Sequence, residues 1–193
     1  MSTRVMLLDA AAAPLTARPY YQNGDPGPLV AALATVPELL EVSLPFLTTV
    51  LGASTLDART KEIVIVRTSA LLHCVYCGNS HSVVALDSGL TAAEVVALRD
   101  EPRAALGGER EDALLGWVDA VAGGNGPVAD AVAARFGRSF ADHEVVELTL
   151  LVGATMMLNR FCTALELPTS PAVIGPSTAT SHANLAWVWM KNG

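Results

Sequence analysis

The sequence predicts an all-α protein, a single-domain helical bundle that assembles into oligomers. Ala and Leu dominate the 193 residues, apolar positions recur every three or four residues, and β-branched residues are scattered, a pattern typical of amphipathic helices. Hydrophobic residues make up 51% of the chain, more than a small monomer readily buries. A subunit interface is therefore expected beside a broad helical core, and no substantial sheet is expected.

Composition divides the chain into three parts. Residues 1–27 contain several Pro and Gly residues without a helical period, which indicates an irregular N-terminal arm that would lie across a neighbouring subunit. Residues 28–167 form the helical domain. Residues 168–193 form a C-terminal tail rich in Pro, Ser and Thr, where Trp187 and Trp189 suggest an end docked on apolar surface.

Proline and capping residues give the boundaries of the first helices. Pro28 suits a first helical position, and the helix that it begins is expected to end near residue 36. Pro37 begins a second helix that runs through residue 51. Asp57 is a good N-cap for a third helix, which carries Glu62.

The next helix carries two cysteines and ends at Gly89. Thr91 and Glu94 then form a capping box for a short helix, and residues 102–109 indicate a loop. The remaining predicted helices cover residues 111–122, 128–136 and 142 to about 165.

Four residues carry most of the chemical information: Glu62, Cys74, Cys77 and His81. On a helix through Cys74, the residues three and seven positions later share one face, so two thiols would meet beside an imidazole. This arrangement favours a redox-active pair over a zinc site, because zinc needs four ligands and Cys162 has no cysteine or histidine at ligand spacing. We interpret Cys162 as a buried bystander; the alternative for the pair is two buried, inert cysteines.

For Glu62 to assist the thiols, the chain must turn between Arg67 and Cys74. A straight helix would separate Glu62 from Cys74 by roughly 18 Å. With a turn, Cys74 begins a new helix, whose N-terminus stabilises a thiolate. Arg67 lies in an apolar run and needs a carboxylate partner, for which Glu62 and Glu147 are the candidates.

Charge and motifs exclude several classes of partner. Twelve Lys and Arg against 19 Asp and Glu give a net charge of -7, so nucleic acid is not an expected partner. No nucleotide or metalloprotease motif is present, and no cofactor or metal is expected. No apolar stretch is expected to approach membrane-spanning length and no secretory leader is recognised, so we expect a cytoplasmic protein without a membrane partner.

The spacing of Glu62, Cys74, Cys77 and His81 resembles the signature of the AhpD-like alkylhydroperoxidases in the carboxymuconolactone decarboxylase superfamily. The similarity extends over residues 36–40, 56–62 and 89–91, and more weakly over 140–160. The resemblance implies a trimer or hexamer whose CxxC pair reduces a hydroperoxide or other small molecule, with an external dithiol as reductant. It also implies that Cys77 is the peroxidatic thiol, that Cys74 resolves, and that Glu62 and His81 relay protons. Helix-end electrostatics alone favours Cys74 as the nucleophile instead.

One position departs from the family pattern. The best-known members resemble this chain but carry a histidine between the cysteines, where Tyr76 stands here. A tyrosine with a pKa near 10 relays protons poorly at neutral pH, which predicts weak peroxidase turnover or a different electron acceptor. His73 is either a substitute relay or a surface histidine. Two alternative functions remain: a small-molecule (lactone) decarboxylase or isomerase, which needs no cysteine pair, and a non-catalytic redox-sensing oligomer.

Overall fold

The computed structural model describes residues 3–99 and 106–169, and within these ranges it contains eight α-helices and no strand. A short 3-10 helix at Arg18–Tyr21 precedes them. The α-helices are α1 (Pro28–Leu33), α2 (Pro37–Leu51), α3 (Ala58–Leu71), α4 (Val75–Asp87), α5 (Ala92–Arg99), α6 (Glu109–Gly123), α7 (Asp130–Ser139) and α8 (Asp142–Ala164). The predicted all-α fold class is confirmed.

The central element is α3, which packs against α4, α5, α6 and α8. Every residue from Lys61 to Ser69 is buried, so this helix is enclosed on all sides. Its apolar residues Ile63, Val64, Ile65 and Val66 join the core formed with α6 and α8. Glu62 is thereby carried into the protein interior.

Side-chain caps mark the starts of α3 and α5. The Asp57 carboxylate accepts from the Thr60 N–H at 2.7 Å, which confirms the predicted N-cap of α3. The predicted capping box of α5 is also present, since the Thr91 N–H donates to Glu94 at 2.7 Å and the Glu94 N–H to the Thr91 hydroxyl at 3.2 Å.

Three helices have boundaries that differ from the predictions. α1 ends at Leu33 rather than near residue 36, because Val36 precedes a proline and is held out of helical geometry. α6 begins at Glu109, two residues before the predicted start at residue 111. α7 covers Asp130–Ser139 instead of 128–136. Acidic residues in the first turns of both helices favour these starts through the helix dipole.

The N-terminal arm packs against its own chain. The Arg4 N–H donates to the Leu165 carbonyl at 3.1 Å, and the Arg4 guanidinium pairs with Glu166 at 2.6 Å. Further along, the Leu8 N–H donates to the Ala31 carbonyl at 3.2 Å. These contacts fix the arm to α1 and to the end of α8.

Arg67 pairs with Asp119 of α6, and neither predicted partner is the observed one. Its Nε donates to the Asp119 carboxylate at 2.6 Å. Glu62 is engaged elsewhere, and Glu147 pairs with the Nζ of Lys61 at 2.8 Å. The sequence alone does not show that α6 packs beside α3, so Asp119 could not be chosen in advance.

Lys61 is a buried cation that the sequence analysis did not single out. Its side chain is 4% exposed, and besides pairing with Glu147 its Nζ donates to the carbonyls of Val50 and Gly52 at 3.1 and 2.6 Å. A positive charge is stabilising at the C-terminal end of a helix, where carbonyls lack partners. Lys61 thus joins the end of α2 to α3.

Within the part of the chain that the structure describes, α8 is the one helix long and apolar enough to cross a membrane by length and composition. Glu147 and Arg160 interrupt its apolar residues, so its uninterrupted apolar stretch stays short of that length, as the sequence predicts. The core helix of a bundle has the same length and composition, and here Leu148, Leu151 and Val152 are buried in the central cluster. Residues 170–193 of the predicted tail, which include Trp187 and Trp189, and residues 102–105 of the predicted 102–109 loop lie outside the described residues.

Candidate active site

The turn that brings the predicted site together follows α3 directly. The Cys74 N–H donates to the Ser69 carbonyl at 3.0 Å and the His73 N–H to the Ala70 carbonyl at 3.0 Å, the two bonds of a Schellman motif. His73 takes the left-handed conformation, φ 53°, that glycine usually supplies there. The predicted reversal thus occurs without Gly or Pro, and Cys74 becomes the N-cap of α4.

Glu62 and His81 are paired across α3 and α4. The His81 Nδ1 lies 3.0 and 3.2 Å from the two carboxylate oxygens, and the side chains are 18% and 7% exposed for His81 and Glu62 respectively. Burial alone would lower the pKa of His81, but the charge and hydrogen bond of Glu62, together with Cys74, raise it above its ordinary value. The pair therefore favours an imidazolium next to a carboxylate.

Cys74 and Cys77 are free thiols, 3% and 6% exposed. The Cys77 N–H donates to the Cys74 sulfur at 3.4 Å, so the sulfur itself caps α4. The pKa of Cys74 is lowered by the neighbouring thiols of Cys162 and Cys77, and further by the Cys77 N–H and the Thr163 side chain, against the effect of burial. The pKa of Cys77 is raised by the same two neighbouring thiols and by burial. Negative charge thus concentrates on Cys74, as expected at a helix N-terminus.

Cys162 is part of this site, which corrects its interpretation as a bystander. It is 1% exposed and packs in one cluster with Cys74 and Cys77. Contact with Cys74 and burial raise the pKa of Cys162 to about 12, while contact with Cys77 opposes the rise. No spacing in the sequence reveals this neighbour, because the fold alone brings the end of α8 to the start of α4. Thr163 was missed for the same reason.

Tyr76 and His73 take different positions around the thiols. Tyr76 packs at the edge of the thiol cluster and hydrogen-bonds to the backbone of Leu29, and burial raises its pKa. A phenol with a raised pKa is a poor proton relay at neutral pH. His73 is exposed in the turn.

Apolar residues enclose the three sulfurs. Partly buried side chains from the arm, α1, α4 and α8 pack around them: Val5, Leu7, Leu29, Tyr76, Phe161 and Leu165. Within residues 3–99 and 106–169, no three His, Cys, Asp or Glu side chains are arranged to hold a metal ion. The site is thus a dry thiol cluster with one imidazole and one carboxylate beside it.

Fold and site together define an all-helical protein with a buried CxxC pair beside a Glu–His pair. The carboxymuconolactone decarboxylase family model matches residues 37–120, which include all four predicted site residues. No match was found among curated proteins.

Solved structures of similar fold cover most of the chain. One is a protein of unknown function from Agrobacterium tumefaciens, named a putative antioxidant defence protein AhpD, with 24% identity, a TM-score of 0.63, and coverage of 72% of this chain and 95% of that one. Another is an uncharacterized peroxidase-related protein with an alkylhydroperoxidase AhpD core from Ralstonia eutropha JMP134, with 16% identity, a TM-score of 0.79 and coverage of 89% and 94%.

The debrominase Bmp8 also shares the fold, with 19% identity, a TM-score of 0.70 and coverage of 90% of this chain and 96% of that one. A cysteine-to-alanine variant of Bmp8 was solved in complex with 2,3,4-tribromopyrrole. The predicted resemblance is confirmed: the family model matches residues 37–120, and the chain shares its all-helical fold with these AhpD-like structures.

Proposed function

We propose that this protein is a thiol-dependent hydroperoxidase or disulfide oxidoreductase whose Cys74–Cys77 pair cycles between dithiol and disulfide. The observation that carries the proposal is the Cys74 sulfur at the N-terminus of α4, which accepts the Cys77 N–H and interacts electrostatically with His81. Low-pKa thiols at helix N-termini are the reactive form of CxxC sites.

The residues support a two-step oxidation. A thiolate attacks one peroxide oxygen, the O–O bond breaks, and His81 donates a proton to the departing alkoxide through Nε2, because Nδ1 is held by Glu62. The attacking sulfur becomes a sulfenic acid. The second thiol of the pair condenses with it, which forms the disulfide and releases water. An external dithiol then restores both thiols by exchange.

Either cysteine of the pair can make the first attack in this scheme. The family resemblance assigns it to Cys77, whereas the lowered pKa assigns the stable thiolate to Cys74. Cys74→Ser and Cys77→Ser, each combined with Cys162→Ser, leave the remaining thiol of the pair without a cysteine to condense with. Treatment with a dimedone-type reagent after one equivalent of peroxide then separates the two assignments. The variant that retains the attacking thiol accumulates sulfenic acid there.

Peroxide consumption tests the function itself. Purified protein is assayed with cumene hydroperoxide and hydrogen peroxide, with dithiothreitol or dihydrolipoamide as donor. We expect wild-type turnover that is lost when Ser replaces both Cys74 and Cys77, and that is retained in Glu41→Gln, a control on the exposed side of α2. Absence of turnover together with a reversible Cys74–Cys77 disulfide would reassign the protein as a disulfide oxidoreductase or redox sensor. Absence of both would overturn the redox function.

The match to the decarboxylase family model favours one second candidate, acid and base chemistry on a small lactone. In that case Glu62 and His81 would act without the thiols. Decarboxylation or isomerisation of a lactone that survives replacement of both Cys74 and Cys77 would support this candidate. We also propose a cytoplasmic location, since an odd number of free buried thiols fits a reducing compartment.

A further inference from the structure

We propose that Cys162 is a second resolving thiol, which forms a disulfide with Cys74 and links the end of α8 to the start of α4. This inference rests on the proposed thiol chemistry of the CxxC pair. It assigns a redox role to a residue outside the motif.

The first observation is that the three sulfurs form one buried group. Cys74, Cys77 and Cys162 are 3%, 6% and 1% exposed and pack together, with Ala32 and Leu167 as the other buried members of the cluster. The Cys162 thiol interacts with both Cys74 and Cys77. Cys74 therefore has two neighbouring thiols available, one from its own helix and one from α8.

The second observation is that both helix ends hold their cysteines in place by the same backbone motif. The Leu167 N–H donates to the Cys162 carbonyl at 3.0 Å and the Glu166 N–H to the Thr163 carbonyl at 3.2 Å, with Glu166 in the left-handed conformation at φ 52°. This Schellman motif at the end of α8 fixes Cys162, as the one after α3 fixes Cys74. The Arg4–Glu166 ion pair and the Arg4 N–H bond to Leu165 attach the arm over the same turn.

Two balanced reactions lead to the proposed disulfide, and both use the hydroperoxide as oxidant. When Cys74 carries the sulfenic acid, the Cys162 sulfur attacks it, the S–S bond forms, and the sulfenic oxygen leaves as water with the thiol proton. When Cys74 is already bonded to Cys77, the Cys162 thiolate attacks the Cys74 sulfur, and Cys77 leaves and takes up the proton that Cys162 lost. The cluster then holds one disulfide and one thiol in either state.

The test uses the full-length Cys77→Ser variant, in which Cys74 and Cys162 are the remaining cysteines. The reduced, folded protein receives one equivalent of diamide, a two-electron thiol oxidant, and is then denatured, alkylated and analysed by intact mass and peptide mapping. We expect both thiols to be lost to an intramolecular Cys74–Cys162 disulfide. A parallel sample with one equivalent of hydrogen peroxide should give the same product.

Two matched variants complete the experiment. Cys162→Ser should form the Cys74–Cys77 disulfide as wild type does, which shows that the fold tolerates serine at that position. Cys77→Ser/Cys162→Ser has no resolving thiol, so Cys74 should proceed under excess peroxide to sulfinic acid, which the Cys77→Ser single variant resists. Far-UV circular dichroism confirms folding of each variant.

The inference is overturned if oxidised Cys77→Ser keeps an alkylatable Cys162 while Cys74 becomes sulfinic acid or cross-links two molecules. Diamide forms disulfides without peroxide turnover, so this result is read independently of the peroxidase assay. If the protein consumes no peroxide but forms the Cys74–Cys162 disulfide, the redox role of Cys162 stands. Only the assignment of a hydroperoxide as the oxidant is then overturned.

Discussion

A CxxC motif acquires its chemistry from the groups that surround the two sulfurs. Here the Cys74 sulfur accepts the Cys77 N–H, and its pKa is lowered by two neighbouring thiols and by the Thr163 side chain. The pKa of Cys77 is raised, so that thiol stays protonated. The imidazole that can exchange a proton is itself oriented by Glu62. The reactivity of the two thiols thus depends on a few hydrogen bonds within a buried cluster, where each hydrogen bond is stronger than in water.

We expect Glu62→Gln to lower the pKa of His81. Burial lowers this pKa and the Glu62 carboxylate is the main effect that opposes it, so removing the carboxylate charge leaves only the smaller effect of Cys74 against burial. In the wild type, a raised pKa means that the pair stabilises the fold below about pH 6.5 and that this contribution is lost as pH rises through the folded pKa. An NMR titration of the His81 imidazole measures the shift.

The same substitution should move the alkaline limb of peroxide turnover to lower pH and reduce its maximum by roughly 10²-fold, because protonated His81 supplies the leaving-group proton. Glu41→Gln, at an exposed position of α2, serves as the control. An unchanged His81 titration in Glu62→Gln would contradict the role assigned to the pair.

Sequence could predict four site residues because all four lie within one helix, one turn and the next helix. Glu62 and Cys74 needed a reversal between them, which predicted a turn between Arg67 and Cys74, and the structure places the left-handed residue of that turn at His73. Cys162 and Asp119 could not be found in this way. Cys162 reaches the site because of where α8 packs, and Asp119 reaches Arg67 because of where α6 packs. No local sequence pattern specifies either packing.

At the scale of helices, α3 acts as the axis to which the others are attached. Lys61 joins it to the end of α2, and Arg67 joins it to α6. Arg59 joins it to three further points: Glu94 at 2.5 Å, Glu111 at 3.0 Å and the Gly89 carbonyl at 3.1 Å. One guanidinium thus connects α3 with α5, α6 and the turn after α4.

We expect Arg59→Met to lower the free energy of unfolding by about 1–2 kcal/mol at pH 7, since charge-assisted hydrogen bonds are lost at a partly exposed site where solvent screens them. Arg59, together with hydrogen bonds from the Thr91 N–H and hydroxyl, lowers the pKa of Glu94 to about 2 from its ordinary 4.5. A lowered carboxyl pKa stabilises the fold above pH 4.5, and this contribution is lost as the pH falls toward 2.

Urea denaturation at pH 7 and pH 3 measures the effect. The cost of Arg59→Met should be smaller at pH 3 than at pH 7. Arg138→Met, on the exposed side of α7, controls for loss of a surface cation. Equal costs at the two pH values would contradict the Glu94 linkage.

Helix positions were predictable where the sequence carries a stop or a cap. Pro37 and Gly52 delimit α2, and Asp57 caps α3, so those boundaries match. α7 has no capping side chain, and its predicted start was two residues early. The sequence predicts a helix boundary less accurately where packing, rather than a local hydrogen bond, determines it.

For the molecule as a whole, two outward helix faces are unusually apolar. Leu39, Val42 and Phe46 on α2 are 54%, 66% and 40% exposed, and Val146 and Leu150 on α8 are 68% and 49% exposed. The two helices pack against each other. Apolar surface of this kind is typical of subunit interfaces, and it favours the predicted homo-oligomer.

We expect Val42→Glu combined with Leu150→Glu to convert the oligomer to monomer, because each change buries a charge in the proposed interface. Size-exclusion chromatography with light scattering at micromolar concentration measures the mass. Val96→Glu, an exposed valine on α5 outside these faces, should keep the wild-type mass. A monomeric wild type would remove the oligomer prediction.

The buried position of Lys61 makes its amine a probe for transient separation of α2 from α3. The chain has one other lysine, Lys191, so few amines compete for an acylating reagent. With the Lys61 side chain 4% exposed, the reagent reaches Nζ when α2 and α3 part, and the labelling rate measures how often that opening occurs. Comparing reduced and oxidised protein would show whether a change at the sulfurs alters breathing at the opposite end of α3.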